Sequence, residues 1–507
     1  MVGKKPRVVI VGAGVAGLTA AHRLCRGAGA DRFEVAVVEA GARAGGRVLT
    51  SEFAGHRVEM GATWVQGVDG SPVYALARDA GALGCGSGKE DDEAAAAGRL
   101  LLPYERMDGF PDRVLTVAEG GEVVDADRVA GPVEALYRGM MEAARAGEAT
   151  GGGGVQEYLR RGLRAYQAAR PAGGADKELE EVEDALLAMH INRERTDTSA
   201  DDLGDLDLAA EGEYRDFPGE HLTIPGGYSR VVDHLVAALP PGTVHFGLCL
   251  RRLDWGETPV RLHFADGAPA ITADHVILTV SLGVLKASLR GKDASTAAGA
   301  IAFDPPLPQF KRKAVARLGF GVVNKLFMEV EPIEASEPEG GGGGGDQPPE
   351  FPFLHMAFRG NVVEIPWWMR GTESICPVHA GSRVALAWFA GREAAHLESL
   401  PDDEVIRGVQ ATVDSFLPAP RLRVKRIKRS GWVTGPLFLG SYSYVAVGSS
   451  GEDLDRMAEP LPRGPGADEP PRVLFAGEAT HRTHYSTTHG AYLSGVREAE
   501  RLLQHYR

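Results

Sequence analysis

The sequence predicts an α/β protein built around a Rossmann-like dinucleotide-binding unit, on three observations. Pro6 to Gly17 reads P-R-V-V-I-V-G-A-G-V-A-G, a β-branched run followed by G-x-G-x-x-G. Helix-like Leu18 to Cys25 and a second apolar run, Glu34 to Val38, come next and end at Glu39. Helical and strand-like stretches then alternate through 507 residues, a length beyond one ordinary core that points to two domains.

Arg7 to Val11 has the composition of a buried parallel strand. Gly12 makes the tight turn, Gly14 lets backbone approach a pyrophosphate, and Gly17 lets helix and strand pack closely, with Ala16 inside the same turn. The helix N-terminus offers free N–H groups and a positive dipole end to phosphates. Glu39, 22 residues after Gly17, is placed to accept from both ribose hydroxyls. By itself the unit suits FAD and NAD alike.

Gly41 to Arg47, G-A-R-A-G-G-R, brackets a glycine pair with Arg43 and Arg47, whose guanidinium forks match phosphate oxygens; the alternative is surface arginines on a loop. Glu59 to Gly67, E-M-G-A-T-W-V-Q-G, reads equally as a segment along a flat ligand and as a turn with a core Trp. Glu90 to Gly98 and Ala146 to Gly154 are expected to be surface insertions. Glu178 to His190 has helical periodicity, with Leu179, Val182, Leu186 and Met189 on one face and Glu194 and Asp197 past its end. After a turn at Ile224 to Tyr228 and a helix from Ser229, the runs Val244–Trp255, Val260–Phe264 and His275–Val280 predict a β-meander, turning at Asp266-Gly267. Asn324 to Val330 alternates and puts Lys325, Phe327 and Glu329 on one face. Glu337 to Glu350 is a loop by composition, Val384 to Ala390 a strand, Asp402 to Leu417 a helix and Leu422 to Trp432 a basic strand. Past a proline-rich loop at Glu459 to Pro471, Arg472 to Ala476 is a strand leading into Gly477-Glu478-Ala479-Thr480. Thr487-Thr488-His489-Gly490 opens the last helix, a second dipole available to a ligand.

Composition narrows the partners. The net charge of −14 disfavours nucleic acid and anionic membranes. Sixteen acids against four basic residues in Asp176–Glu220 account for most of it, either as a solvated face or as a field that draws in a cation. No stretch approaches the ~20 apolar residues of a membrane helix. Cys25, Cys85, Cys249 and Cys376 show no metal-ligand spacing and suit a reducing compartment, so a cytoplasmic location is expected.

Five separated motifs carry a resemblance: V-G-A-G-V-A-G-L at Val11–Leu18, R-A-G-G-R at Arg43–Arg47, G-A-T-W-V-x-G at Gly61–Gly67, T-V-S-L-G-V-L-K at Thr279–Lys286, and F-A-G-E-A-T with Y-S-T-T-H-G-A-Y-L-S-G between Phe475 and Gly495. The chain resembles flavin-dependent amine oxidases, specifically polyamine oxidases of the spermine-oxidase-like, plant cytosolic back-conversion type. The resemblance implies an FAD-binding domain of the amine-oxidase type (1–85, 222–303, 430–507) interleaved with a mixed α+β substrate-binding domain (86–221, 304–429). It implies that Gly12, Gly14, Ala16, Gly17 and Glu39 hold the ADP part of FAD, with Arg47 on the pyrophosphate and Arg43 near the cofactor. Gly61, Ala62, Thr63 and Trp64 would line the isoalloxazine, Leu250 the adenine, Glu478 the ribityl chain or pyrophosphate region, and Thr487 and Thr488 the flavin edge under the last helix. Lys325 matches the lysine held through water to flavin N5. Trp64, Trp432, Tyr442 and Thr487 fall on the substrate side of the flavin. Gln66 stands where relatives carry histidine or glutamate, leaving Glu194 as the candidate for a substrate nitrogen. Gly440-Ser441-Tyr442 has serine in place of the flavin-linked cysteine of monoamine oxidases, so FAD is expected to be non-covalent.

The implied reaction is hydride loss from the carbon beside a neutral secondary amine of spermine or thermospermine, then imine hydrolysis and reoxidation by O2. The products would be a shorter polyamine, 3-aminopropanal and H2O2. Competing readings are a methyl-lysine oxidase of the same family and, from another class, a non-enzymatic GDP-dissociation-inhibitor-like binder.

Overall fold

A computed structural model describes residues 5–83, 114–170, 177–290, 299–333, 351–379, 382–417, 422–462 and 470–507. The expected insertion at Glu90–Gly98, the loop at Glu337–Glu350 and most of the loop at Glu459–Pro471 lie outside them.

A five-stranded parallel sheet carries the first motif, in the order Val473–Phe475, His275–Leu278, Arg7–Val11, Glu34–Val38, Val244–His245. The first strand sits at its centre, so both its faces are covered. Val8 and Ile10 pack with the helices Val15–Cys25, Ser229–Ala237 and Thr488–His505. Val9 and Val11 point the opposite way, toward a four-stranded sheet that includes Leu253 and Leu262, as strand alternation requires. First and last segments of the chain thus share one layer, and their helices pack directly on each other.

The expected single meander between residues 244 and 280 does not form. Leu250–Asp254, Val260–Phe264 and Ile271–Ala273 make an antiparallel set, but Val244–His245 and His275–Leu278 leave it for the parallel sheet. The reason is burial: His275, Val276, Ile277 and Leu278 are all covered on both faces, which the interior of a parallel sheet provides. Asp266 and Gly267 both take positive φ (55° and 71°), the two-residue hairpin turn expected of them.

A seven-stranded sheet runs Leu422–Arg429, Val323–Pro332, Val384–Ala390, Ser374–Pro377, Leu354–Ala357, Leu115–Ala118, Glu122–Val123. One face buries Leu326, Met328, Ala385 and Ala387 with the helices Gly391–Ser399 and Asp402–Phe416. The other presents Lys325 directly opposite Trp388, and Phe327 opposite Leu386 opposite Cys376. Over its far end lie the helices Gly131–Arg145, Val155–Ala168 and Lys177–Thr198.

The last of these runs two turns beyond the expected His190, so Glu194 and Asp197 lie inside it rather than past its end. Apolar period does not hold those turns; buried polar side chains do. Asn192 donates to the Arg370 carbonyl (2.9 Å), and Arg195 donates to the Asp201 carbonyl (2.7 Å) and to Glu393.

Candidate active site

Between the two layers runs a cavity of about 830 Å3. At its nucleotide end, Gly12 (φ 108°), Gly14 and Ala16 line the wall. The helix Val15–Cys25 has no side-chain N-cap, so its first N–H groups are available to a ligand. A Cβ on Gly17 would fall 2.0 Å from the Gly12 carbonyl oxygen, whereas a Cβ on Gly14 meets nothing within 4 Å. Glu39 and Leu250 line the same end. Glu39 is oriented by the glycine turn and by its own loop, accepting from the N–H of Ala13 (2.8 Å) and of Gly41 (2.8 Å).

The arginines of R-A-G-G-R take different roles. Arg47 lines the cavity and donates to the Ser441 carbonyl (2.7 Å) and to Glu478 Oε1 (2.8 Å). Glu478 Oε2 accepts from Ser443 Oγ (2.6 Å) and from the Ser486 N–H (2.9 Å). Arg43, expected near the phosphates, instead donates to the carbonyls of Ala44, Gly46 and Val48 (2.9, 2.7 and 2.9 Å). It is spent on shaping the glycine loop, whose carbonyls would otherwise be unpaired, and it is not among the cavity-lining residues.

In the middle, Gly61, Ala62, Thr63 and Trp64 form one wall. Lys325 reaches them from the sheet, donating to the carbonyls of Glu59 (2.7 Å) and Gly61 (2.6 Å) and to Thr63 Oγ1. Burial lowers its pKa to about 7. Its ammonium lies 4.3 Å from the centre of the Trp388 ring, which stacks on Trp64 at 5.1 Å. Trp388 was missed in the sequence; its strand was legible, but its register against Lys325 was not. Trp432 donates to the Met60 carbonyl (3.0 Å), Tyr442 donates to the Thr196 carbonyl, and both line the cavity.

The N-terminus of Thr488–His505 opens on the same space. Thr487 lines it, but as N-cap: its Oγ1 accepts from the Gly490 N–H (3.0 Å) and donates to the His484 carbonyl (2.7 Å). Its hydroxyl is committed to the helix rather than to a substrate. Thr488 Oγ1 lies 2.5 Å from the Tyr228 hydroxyl.

The far end gathers Gln66, Glu194, Asp197, Glu211, Asp216, Glu373, Arg145 and Arg193. The acidic segment therefore contributes directly to the cavity. Glu194, expected to meet a substrate nitrogen, is already compensated: Tyr137 donates to it and Arg145 lies 3.3 Å away. Asp197 lines the cavity with nearly half its side-chain surface open to it (47%), and desolvation within the protein together with Glu194 outweighs Arg193 and lifts its pKa to about 6. The same two causes lift Glu211 to about 7.

A mononucleotide-fold layer whose first helix has an uncapped N-terminus, opposite a sheet carrying a buried lysine, defines a flavoenzyme-type site. The model of the family "Flavin containing amine oxidoreductase" matches residues 15–503, and the chain belongs to that family. It is a flavin-dependent oxidoreductase with FAD as its cofactor. It is 81% identical to "Polyamine oxidase 1" of Oryza sativa subsp. japonica, over 100% of this chain and 99% of the relative. It is 41% identical to "Probable polyamine oxidase 5" of Arabidopsis thaliana, over 99% of each. Among solved structures, wild-type putrescine oxidase bound to putrescine shares the fold with TM-score 0.63, at 18% identity over 99% of both chains. The non-enzymatic alternative is thereby set aside.

The residues fit the cofactor. The open space in front of Gly14, the uncapped first helix and the carboxylate of Glu39 form one donor–acceptor set for an ADP moiety. The last helix supplies a second N-terminus on the same cavity.

Proposed function

We propose that this protein oxidises polyamines, spermine or thermospermine foremost, at the carbon beside a secondary amine. The products are a shorter polyamine, 3-aminopropanal and H2O2. One observation carries the reading: the cavity joins an aromatic, lysine-bearing centre to an end where carboxylates outnumber arginines. Lys325 and Ser374 lie on adjacent steps either side of Trp388, two strands apart or ~10 Å. An extended chain with spaced cationic nitrogens matches that layout, and the polyamine oxidases among the relatives agree with it.

FAD, when bound, supplies a two-electron acceptor that O2 regenerates. The chain's own residues prepare the amine. Asp197 attracts the cationic chain toward the acidic end. Trp64, Trp388, Trp432 and Tyr442 crowd the centre and keep water from it, and that desolvation disfavours an ammonium and lowers its pKa, so the reacting nitrogen sheds its proton and keeps its lone pair. Lys325 holds the 59–63 wall by three hydrogen bonds and carries the titratable amine nearest it. Ser441 exchanges hydrogen bonds with the Val323 backbone (2.8 and 3.0 Å) and offers no thiol, in keeping with non-covalent FAD.

The test is peroxide release from the holoprotein against spermine, thermospermine, spermidine, their acetylated forms and a monoamine. Polyamine-dependent release supports the reading; release from the monoamine alone, or from methyl-lysine peptide alone, refutes it.

A further inference from the structure

We propose that Glu373 receives a terminal ammonium of the substrate and thereby sets a preference for free over acetylated polyamines, a role that rests on the polyamine reading above. Glu373 immediately precedes the strand Ser374–Pro377 on the cavity floor and lines the cavity. The other acids at this end have partners: Glu194 has Arg145, Glu211 has Arg145 at 3.9 Å, Asp197 has Arg193 at 3.9 Å, and Asp216 accepts from the Tyr214 hydroxyl at 3.0 Å. Among the described residues no hydrogen bond or ion pair holds the Glu373 carboxyl.

The charges that act on it are Arg193, Asp197 and Glu194 on the helix above; His355 stands on the neighbouring strand and Cys376 on its own, where the Glu373 charge acts on the thiol. Burial outweighs Arg193 and pushes Glu373 up to about 8, while the same burial takes His355 down to about 4. At neutral pH Glu373 therefore keeps its proton until a cation arrives. An arriving ammonium forms an ion pair with the carboxylate, and the carboxyl proton leaves to solvent. A buried carboxyl without a partner is costly, so a cation that fits is selected strongly. An acetamide brings no charge and gains nothing from the exchange.

The probe is an eight-carbon α,ω-diamine, with an ammonium at each end and no secondary amine. Its binding to the holoprotein is measured calorimetrically at neutral pH in two buffers of different ionisation enthalpy. The wild type is expected to release close to one proton per ligand more than Glu373→Gln, since any release from Glu211 or Asp197 is common to both. Glu373→Gln should also bind at least about tenfold more weakly, while Glu373→Asp keeps the wild-type release. In turnover, Glu373→Gln should raise KM for spermine about tenfold or more and leave KM for doubly acetylated spermine nearly unchanged. Equal proton release in wild type and Glu373→Gln, or equal KM shifts for both substrates, would overturn the assignment. A wild type that releases the proton on diamine binding but oxidises no polyamine would overturn the polyamine reading and leave the cation site standing. FAD content and Tm of both variants show whether they are folded.

Discussion

Two glycines of the first motif separate cofactor contact from folding. Gly14 has φ −79°, and an added Cβ meets nothing within 4 Å. In the cofactor-free protein, Gly14→Ala should therefore leave Tm unchanged or raise it slightly, by the ~0.4–1 kcal/mol that glycine replacement gains through the unfolded chain. The same methyl stands where the pyrophosphate approaches. Losing one or two charge-assisted hydrogen bonds there costs ~1.5–3 kcal/mol, or ~10–100-fold in FAD affinity. Gly17→Ala is the reverse case. Its Cβ would lie 2.0 Å from the Gly12 carbonyl oxygen, a backbone atom that moves only with the strand. Overpacking of this kind costs ~1–3 kcal/mol or more whether or not FAD is present. Thermal unfolding with and without added FAD, together with FAD fluorescence titration, reads both effects. A Gly14→Ala protein with wild-type FAD affinity, or one whose cofactor-free Tm falls like that of Gly17→Ala, would refute the reasoning.

Glu478→Gln should loosen Arg47 and the 441–443 segment, reducing retained FAD after gel filtration; a wild-type FAD ratio would show that the clamp is not needed. Lys325→Met should slow flavin reoxidation by O2 in stopped flow and remove an inflection near pH 7, where burial places the Lys325 titration; unchanged kinetics in both half-reactions would take Lys325 out of the mechanism. Lys311 is fully buried and donates to the carbonyls of Arg456, Met457 and Glu459 (2.9, 2.8 and 2.7 Å), closing the helix Gly451–Ala458. Lys311→Met should cost ~1–3 kcal/mol by denaturant unfolding at neutral pH. Burial lowers Lys311 from 10.5 to about 7, so between those values the unfolded chain binds the extra proton and wild-type stability rises with pH. The variant should lose that slope, up to ~1.4 kcal/mol per pH unit; an unchanged slope would contradict the burial argument.

Much of this was legible in the sequence, for local reasons. The strand–glycine–helix–strand unit announced itself because its glycines, apolar run and acid all lie within 39 residues. The final strand and helix repeated the signal, and Lys325 was placed on the correct face of an alternating strand. The misses were long-range. Nothing near Arg43 says that its guanidinium folds back onto its own loop. Nothing near Glu194 says that Tyr137 and Arg145, on another helix, already satisfy it. The helix Lys177–Thr198 continued past His190 because its last turns are held by partners such as Arg370 and Glu393, more than 170 residues away. Trp388 and Glu373 enter the site through strand order, which a single sequence does not display.

The central claim is most directly tested by product analysis. Holoprotein incubated with spermine in air should yield spermidine and 3-aminopropanal, with one H2O2 for each spermine consumed, by mass spectrometry and peroxide titration. Spermine recovered intact beside a fully FAD-loaded protein, or cleaved at its primary amine with release of ammonia, would contradict the account.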